Sequence, residues 1–279
     1  MGIAFALQAR RDFGVGAIAP RPGPARGRDR STWRLTLRLN RGPLITWAIA
    51  FLGLGVVFGN FATSITSVLG SDSAVKQVLA AGATTSDQLV SAFLVTILSL
   101  VGILASIPGV QIMLKLRTEE LEDRVEPVMA GGVARPRYYA SNAVLALAAS
   151  AVYVLLAGLL IATLASTADI GVDFGSAVLQ AVATVPAVWT VVAVAVAVVG
   201  ARPQVSLAAW FGVLVSFVLT LLGPTFKLWD WVLAISPFWH IPNVTVNDAD
   251  WWGLLWISLV TLAFSGVGFA GFRRRDLTR

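Results

Sequence analysis

Six stretches of this chain contain no Asp, Glu, Lys, Arg or His, and each is at least twenty residues long: Pro43 to Leu69, Leu89 to Leu114, Tyr139 to Ala168, Ser176 to Gly200, Gln204 to Gly223 and Trp251 to Phe272. Twenty helical residues rise ~30 Å, the thickness of a bilayer's hydrocarbon layer. Inside that layer each backbone N–H and C=O must find a partner within the protein, which leaves helices and closed barrels as the spanning structures. Barrel strands alternate apolar and polar residues. These stretches are apolar nearly all round, so they read as helices, and the fold class is an all-α integral membrane protein with six transmembrane helices. Composition agrees: 13% of the residues are charged and the mean hydropathy is +0.78, against ~25% charged in a soluble domain. An ordinary cytosolic globule and a disordered chain are both excluded.

Charge sets the expected orientation. Residues 1–42 hold 9 basic side chains, the loop from Lys115 to Tyr138 holds 5, the turn at Arg202 holds 1 and the tail after Phe272 holds 4, so that only Lys76 and Lys227 lie elsewhere. Basic residues are retained on the cytoplasmic side, which places both termini there. The net charge of +6 and the pI near 10.5 are then inner-surface anchoring against anionic lipid, and nucleic acid is not an expected partner. Trp229, Trp231, Trp239, Trp251 and Trp252 fall on the opposite side, as an anchoring belt does.

The expected organisation is a cytoplasmic linker and interfacial helix over 1–42, a six-helix transmembrane domain over 43–272 and a basic tail over 273–279. In the first part, Gly2 to Leu7 is too short and Arg10-Arg11 too late for a secretory signal. Pro20 to Pro24 reads as a linker, because proline fixes φ and removes a donor. From Ser31 to Arg41, Arg34, Arg38 and Arg41 recur on one helical face, with Trp33 and Leu37 on another. Two readings stand there: a short helix lying on the inner leaflet and an unstructured basic leader. Gly2–Phe13 also aligns without gaps to Gly266–Leu277, with half of the twelve positions identical. The expectation drawn from that similarity is a chain that is, or descends from, the second half of a double-length protein. Positive-inside anchoring alone accounts for part of the match.

The loop 115–138 carries five basic and five acidic residues. Leu121, Val125 and Val128 recur at helical spacing, with Glu119, Glu122 or Asp123, and Glu126 on an acidic face. Glu120 and Arg124 are spaced for an i,i+4 pair. Pro127 should end that helix or open a new one, and Gly131-Gly132 should stop it. Such an element can dock a soluble partner or simply be solvated. On the other side, Pro224 to Asp250 is long for a hairpin and should form one or two short interfacial helices. His240, the sole histidine, is expected to be hydrogen-bonded in that interface and not to bind metal.

Known chemistries are sparse. There is no GxxxxGK[ST] phosphate loop, no HExxH and no carboxylate pair inside a span, so the chain has no such route to nucleotide or metal. With no cysteine, disulfides, thiolate metal sites and a cysteine nucleophile are excluded. Ion-coupled carriers place ionisable groups at mid-membrane; these spans have none, so energy for transport would come from elsewhere.

Several short motifs point to one family. They are Glu119-Glu120-Leu121-Glu122-Asp123-Arg124-Val125-Glu126-Pro127-Val128 with Val133 and Arg135 beyond, Arg10-Arg11-Asp12 followed by Arg21 to Ala25, Ser236-Pro237-Phe238, and Arg273 to Asp276. In these the chain resembles the permease subunit of a type-2 ATP-binding-cassette exporter, and is similar to the actinobacterial tetronasin-type antibiotic and multidrug export permeases. The resemblance implies a multi-pass protein of the bacterial plasma membrane that exports an amphiphilic, drug-like compound. It implies an ABC ATPase partner that binds the ATP, so that the chain itself holds no cofactor, and a second permease half, either another copy or a separate first half. It also implies that Glu119, Glu120, Glu122, Arg124, Glu126 and Pro127 form the contact with the ATPase, and that Ser236-Pro237-Phe238 belongs to short outer helices before the last span. The Arg-Pro-Gly-Pro linker, which sits between the halves of fused members, here stands near the N-terminus. Two other classes compete: a non-transporting scaffold docking a partner through 115–138, and a membrane-embedded enzyme, which the absence of any acid, base or metal ligand in the spans disfavours.

Overall fold

The computed structural model describes residues 31–71, 86–167, 173–244 and 249–275, with the side chains of 63–71 and 86–90 left aside. The linker at Pro20 to Pro24, the first copy of the end-to-end similarity, Lys76 and the last four residues lie outside this description. The described residues are helical, without strands: α1 (Thr32–Ser71), α2 (Ser86–Leu121), α3 (Glu126–Ala130), α4 (Arg135–Thr167), α5 (Phe174–Ala201), a 3-10 turn (Pro203–Ala208), α6 (Ala209–Phe217), a π turn (Val218–Leu222), α7 (Asp230–Leu233), a second 3-10 turn (Pro237–His240) and α8 (Trp252–Arg274). Six helical stretches among them are long and apolar enough to cross a membrane.

α5 forms the centre of the bundle. It packs against α8, α4, α2 and α6, and Val188, Val191, Val192, Ala195 and Val196 along it are fully or almost fully buried. A helix apolar on all sides is stable where neighbours cover it, and Ala and Val let those neighbours approach. α4 is wedged between α1 and α5, burying Tyr139, Ala146, Ser150, Tyr153 and Ala157 at the three- and four-residue spacing of a helix face. The outer helices are the reverse. Ile49 and Phe61 of α1, Phe211 and Leu214 of α6, and Trp256 and Leu262 of α8 are exposed, an apolar surface that suits lipid and not water.

The first span differs from its expected start. Thr32–Ser71 is one continuous helix with Pro43 inside it, so the basic stretch before Pro43 is helical but forms the first turns of the span itself. Proline cannot donate to the carbonyl four residues earlier, which here is that of Leu39. Lys115 Nζ from α2 donates to that carbonyl instead at 2.9 Å, supplying the missing bond. The fifth span is the other departure. Pro203 cannot continue α5, and Val205 leaves helical geometry at φ −109°, ψ 38°, so the crossing is built from a 3-10 turn, α6 and a π turn.

α5 and α8 meet backbone to backbone. A Cβ at Gly268 would stand 2.6 Å from the Val196 carbonyl oxygen and 2.8 Å from the Tyr139 hydroxyl. That hydroxyl itself donates to Val196 O. Farther along the same crossing Thr190 and Thr261 share a hydrogen bond at 2.9 Å. Small residues and hydroxyl pairs are how helices associate where no hydrophobic drive exists between them. Gly268→Leu should therefore cost about 3 kcal/mol, the top of the overpacking range. The readout is the fraction of monodisperse protein and its thermal midpoint in mild detergent; an unchanged midpoint would refute the close crossing.

Candidate functional site

The start of α1, the end of α2, the start of α4, the end of α5 and the end of α8 gather at one end of the bundle, and a charged cluster binds them together. Thr36 and Ser141 join α1 to α4 through their hydroxyls at 2.9 Å. Lys115 joins α2 to α1 through Leu39 O and Asn40 Oδ1. Tyr138 donates to Glu119 Oε2 at 2.9 Å, joining α4 to α2.

The centre of the cluster is Glu120, whose side chain is 5% exposed. Its Oε2 accepts from Arg117 Nη1 at 3.1 Å and from Arg275 Nη2 at 2.5 Å. Arg275 also donates through Nη1 to the Val199 carbonyl at 3.1 Å, which satisfies a free carbonyl at the C-terminal end of α5. Its guanidinium lies 5.1 Å from the Phe272 ring centre, in cation–π range. One arginine past the end of α8 thus ties three helix ends together: α8, α5 and α2.

The backbone changes course directly after Glu120. α2 stops at Leu121, Asp123 takes a left-handed φ of 57°, and Arg124 N donates back to Glu119 O at 3.0 Å. Val125 turns inward and is buried. A five-residue helix follows, with Glu126 first and Pro127 second; proline is tolerated there because first-turn N–H groups have no helical acceptor. Gly132, at φ +81°, closes the segment in a conformation that glycine adopts freely. The expectation that Pro127 either ends a helix or opens one resolves as opening.

The six residues expected to meet a partner therefore fall into two sets. Glu119 and Glu120 point into the protein and hold helix ends together. Glu122, Arg124, Glu126 and Pro127 are exposed, as is Leu121 at 66%. One expectation needs correcting: Glu120 does not pair with Arg124. The turn at 122–125 removes Arg124 from the α2 helix face, and it pairs with Glu122 at 2.6 Å instead. Both of those side chains are exposed, so their pair contributes little. The inner set had members that sequence reasoning missed: Arg117, Tyr138 and Arg275. Arg275 sits in the triplet Arg273-Arg274-Arg275, which positive-inside anchoring already explained, so nothing in the sequence set it apart from its two exposed neighbours.

At the other end of the bundle a neutral clamp holds the segment between α6 and α8. Gln180 is fully buried; its Nε2 donates to Pro242 O at 3.0 Å and its Oε1 accepts from Val244 N at 2.9 Å. Ser236 caps the short 3-10 turn by accepting from Phe238 N. His240 Nε2 bonds to Ala234 O at 2.9 Å, the interfacial hydrogen bond expected of it. Trp229, Trp231 and Trp252 are exposed there.

Two comparisons with known proteins bear on this arrangement. The family described as "Multidrug efflux system permease Rv1217c, C-terminal domain" matches residues 30–273. The chain is 35% identical, over 280 aligned residues, to the Multidrug efflux system permease protein Rv1217c of Mycobacterium tuberculosis (strain ATCC 25618 / H37Rv), an alignment that covers 99% of this chain and 51% of the relative. The chain thus spans about half the length of the curated relative it matches.

Proposed function

Because this multi-pass membrane chain belongs to the C-terminal-domain family of the multidrug efflux permease Rv1217c, we propose that it is one six-helix half of an ATP-driven exporter. In this reading a second permease half, either another copy or a separate chain, completes the membrane pathway, and two ABC ATPase subunits bind and hydrolyse the ATP. The cargo is an amphiphilic or hydrophobic compound moved outward across the bacterial plasma membrane. No catalytic step falls to this chain.

The observation that carries the reading is the segment Leu121–Gly132, exposed except at the buried Val125 and the half-buried Val128 and Met129, on an inward-braced stalk. Its root, Glu119 and Glu120, is tied to α4, α5 and α8. A push on the segment is therefore passed to three other helices, and is not absorbed by a loose loop. Packed elements of this kind switch between discrete arrangements and do not deform continuously. ATP-driven closure of the ATPases would press on Glu122, Arg124, Glu126 and Pro127 and rock the halves between inward- and outward-facing packing. The charge asymmetry supports placing this end in the cytoplasm, where the ATPases would lie.

The test is accumulation of a fluorescent amphiphilic drug in cells that lack the gene and in the same cells complemented with it. Higher steady-state dye in the deletion, reversed by complementation and abolished by depleting ATP, is the expected result. Equal dye in both strains for a range of amphiphiles would overturn the export assignment.

A further inference from the structure

Near the charged end of the bundle, α1, α2 and α4 enclose a cavity of about 190 Å³, bounded on its flat sides by Pro43, Trp47, Pro108 and Tyr153. Its polar equipment is one-sided. Trp47 Nε1 donates to Gln111 Oε1 at 3.0 Å, which fixes the amide's orientation and turns Nε2 the other way. Among the described residues no acceptor pairs with Gln111 Nε2. One turn along α2, Lys115 Nζ spends two of its three hydrogens on Leu39 O and Asn40 Oδ1. Glu119 Oε1 forms a long ion pair with it at 3.8 Å, beyond hydrogen-bond range, so the third hydrogen has no close acceptor among the described residues. The acceptors on the wall are already engaged: Asn40 Oδ1 takes Lys115, Gln111 Oε1 takes Trp47, and the Leu44 carbonyl takes the Tyr153 hydroxyl at 3.0 Å. What the cavity offers a guest is an ammonium hydrogen, an amide NH2 and aromatic walls.

That set selects a class of ligand. A cation would face the Lys115 ammonium, and a neutral donor would have to share acceptors that are already engaged. An anionic, acceptor-rich head would satisfy both open donors through charge-assisted hydrogen bonds. Size sets a second condition. The volume is below the ~300–1,000 Å³ of pockets that enclose a drug-sized ligand, so a head group fits and a whole amphiphile does not. Pro43 and Gln111 are exposed at the rim. Along α1, Ile45, Ile49 and Leu52, close in sequence to the lining residues Leu44 and Trp47, are also exposed. An apolar body can lie along that helix while its head is inside.

We propose that this cavity is a binding site for acidic amphiphiles, which seat a carboxylate or phosphate head against Lys115 Nζ and Gln111 Nε2 and keep their apolar body in the membrane. Two sources supply that chemistry: a resident anionic lipid, and an acidic compound on its way out. As a statement about cargo the proposal rests on the efflux reading, but occupancy of the site needs neither ATPase nor transport.

The test uses the full chain in phosphatidylcholine nanodiscs. It is photolabelled with palmitic acid bearing a diazirine near the carboxyl end, and separately with the methyl ester of that probe, and the labelled peptides are mapped by mass. Labelling of peptides containing residues 40–47 or 108–115 should be about tenfold greater with the acid, the loss expected when a charged hydrogen bond is removed. Gln111→Glu keeps the acceptor for Trp47 but replaces the open donor with a negative charge; it should lower acid labelling about tenfold and leave ester labelling unchanged. Equal labelling by acid and ester in the unsubstituted chain overturns the proposal, and that comparison stands even where the variant fails to fold. Acid labelling that Gln111→Glu leaves intact in a well-folded sample overturns it too. Phosphatidylglycerol added to the discs separates the sources: suppression of acid labelling assigns the site to resident lipid, and persistence assigns it to cargo. Equal dye in the deletion and complemented cells, with acid labelling intact, would count against the transport reading and not against the site.

Discussion

Replacing Glu120 with alanine is expected to lower the stability of the membrane domain by about 3 kcal/mol, the largest single-residue effect at the charged end of the bundle. The Glu120 side chain is 5% exposed and stands between Arg117 and Arg275, whose side chains are 23% and 16% exposed. Truncating one partner of a buried pair costs ~3–5 kcal/mol, because the other charge stays behind without compensation. The arginines keep some contact with water, which places the effect at the lower edge of that range. Arg275→Ala should cost less in charge terms, since Glu120 retains Arg117, but it also frees the Val199 carbonyl that Arg275 satisfies. Because the two side chains share one bond, the double variant should be distinctly less destabilised than the sum of the singles. Thermal midpoints of the four proteins in one detergent measure this directly. A change below about 0.5 kcal/mol for Glu120→Ala, the size of an ordinary surface substitution, would show that the ion pair does not brace the helix ends.

Reversing charge at Glu122 and Glu126 together should have the opposite signature: normal insertion and stability, with export reduced at least tenfold. Both side chains are exposed; among the described residues Glu122 pairs with Arg124, which is still more exposed, so the folded chain loses little. Like charges brought together across an interface cost several kcal/mol, however, and each ~1.4 kcal/mol is a factor of ten in complex formation. On the exporter reading, Glu122→Lys/Glu126→Lys should therefore weaken docking of the proposed ATPase while the chain itself stays folded. Glu120 has to be kept out of this variant, because its reversal would break the inner brace and confuse lost folding with lost coupling. Membrane content by immunoblot, thermal midpoint and dye efflux, measured side by side, separate the two. Full efflux from the double reversal would remove these acidic residues from the coupling contact.

The six apolar stretches were legible because a bilayer requires them: uncharged runs of that length and a segregated set of arginines leave few alternatives. The short helices of the segment 224–250 and the hydrogen bond of His240 were legible too, from a segment too long for a hairpin and from the lack of metal-binding partners. The helix boundaries were less so. Pro43 looked like the start of a span because the charge-free run begins there, just after Arg41, and the lysine that lets the helix run through the proline lies 72 positions further along the chain. Arg275 illustrates the same limit. As sequence it is one of three consecutive arginines, and only the approach of α2 and α5 to the end of α8 distinguishes it from Arg273 and Arg274. The Glu120–Arg124 expectation failed for a local reason: i,i+4 spacing matters only where the helix continues, and Asp123 interrupts it.

The most direct test of the exporter reading is to tag the native gene at its C-terminus, purify the protein in mild detergent, and determine the masses of the bait and its companions. A P-loop ATPase co-purifying in comparable amount, and lost from the Glu122→Lys/Glu126→Lys variant while the bait itself is recovered unchanged, is the expected result. A stable bait that retains no ATPase under conditions that preserve other ABC complexes would contradict it, and would turn attention to a scaffold that uses the same exposed segment for a different partner.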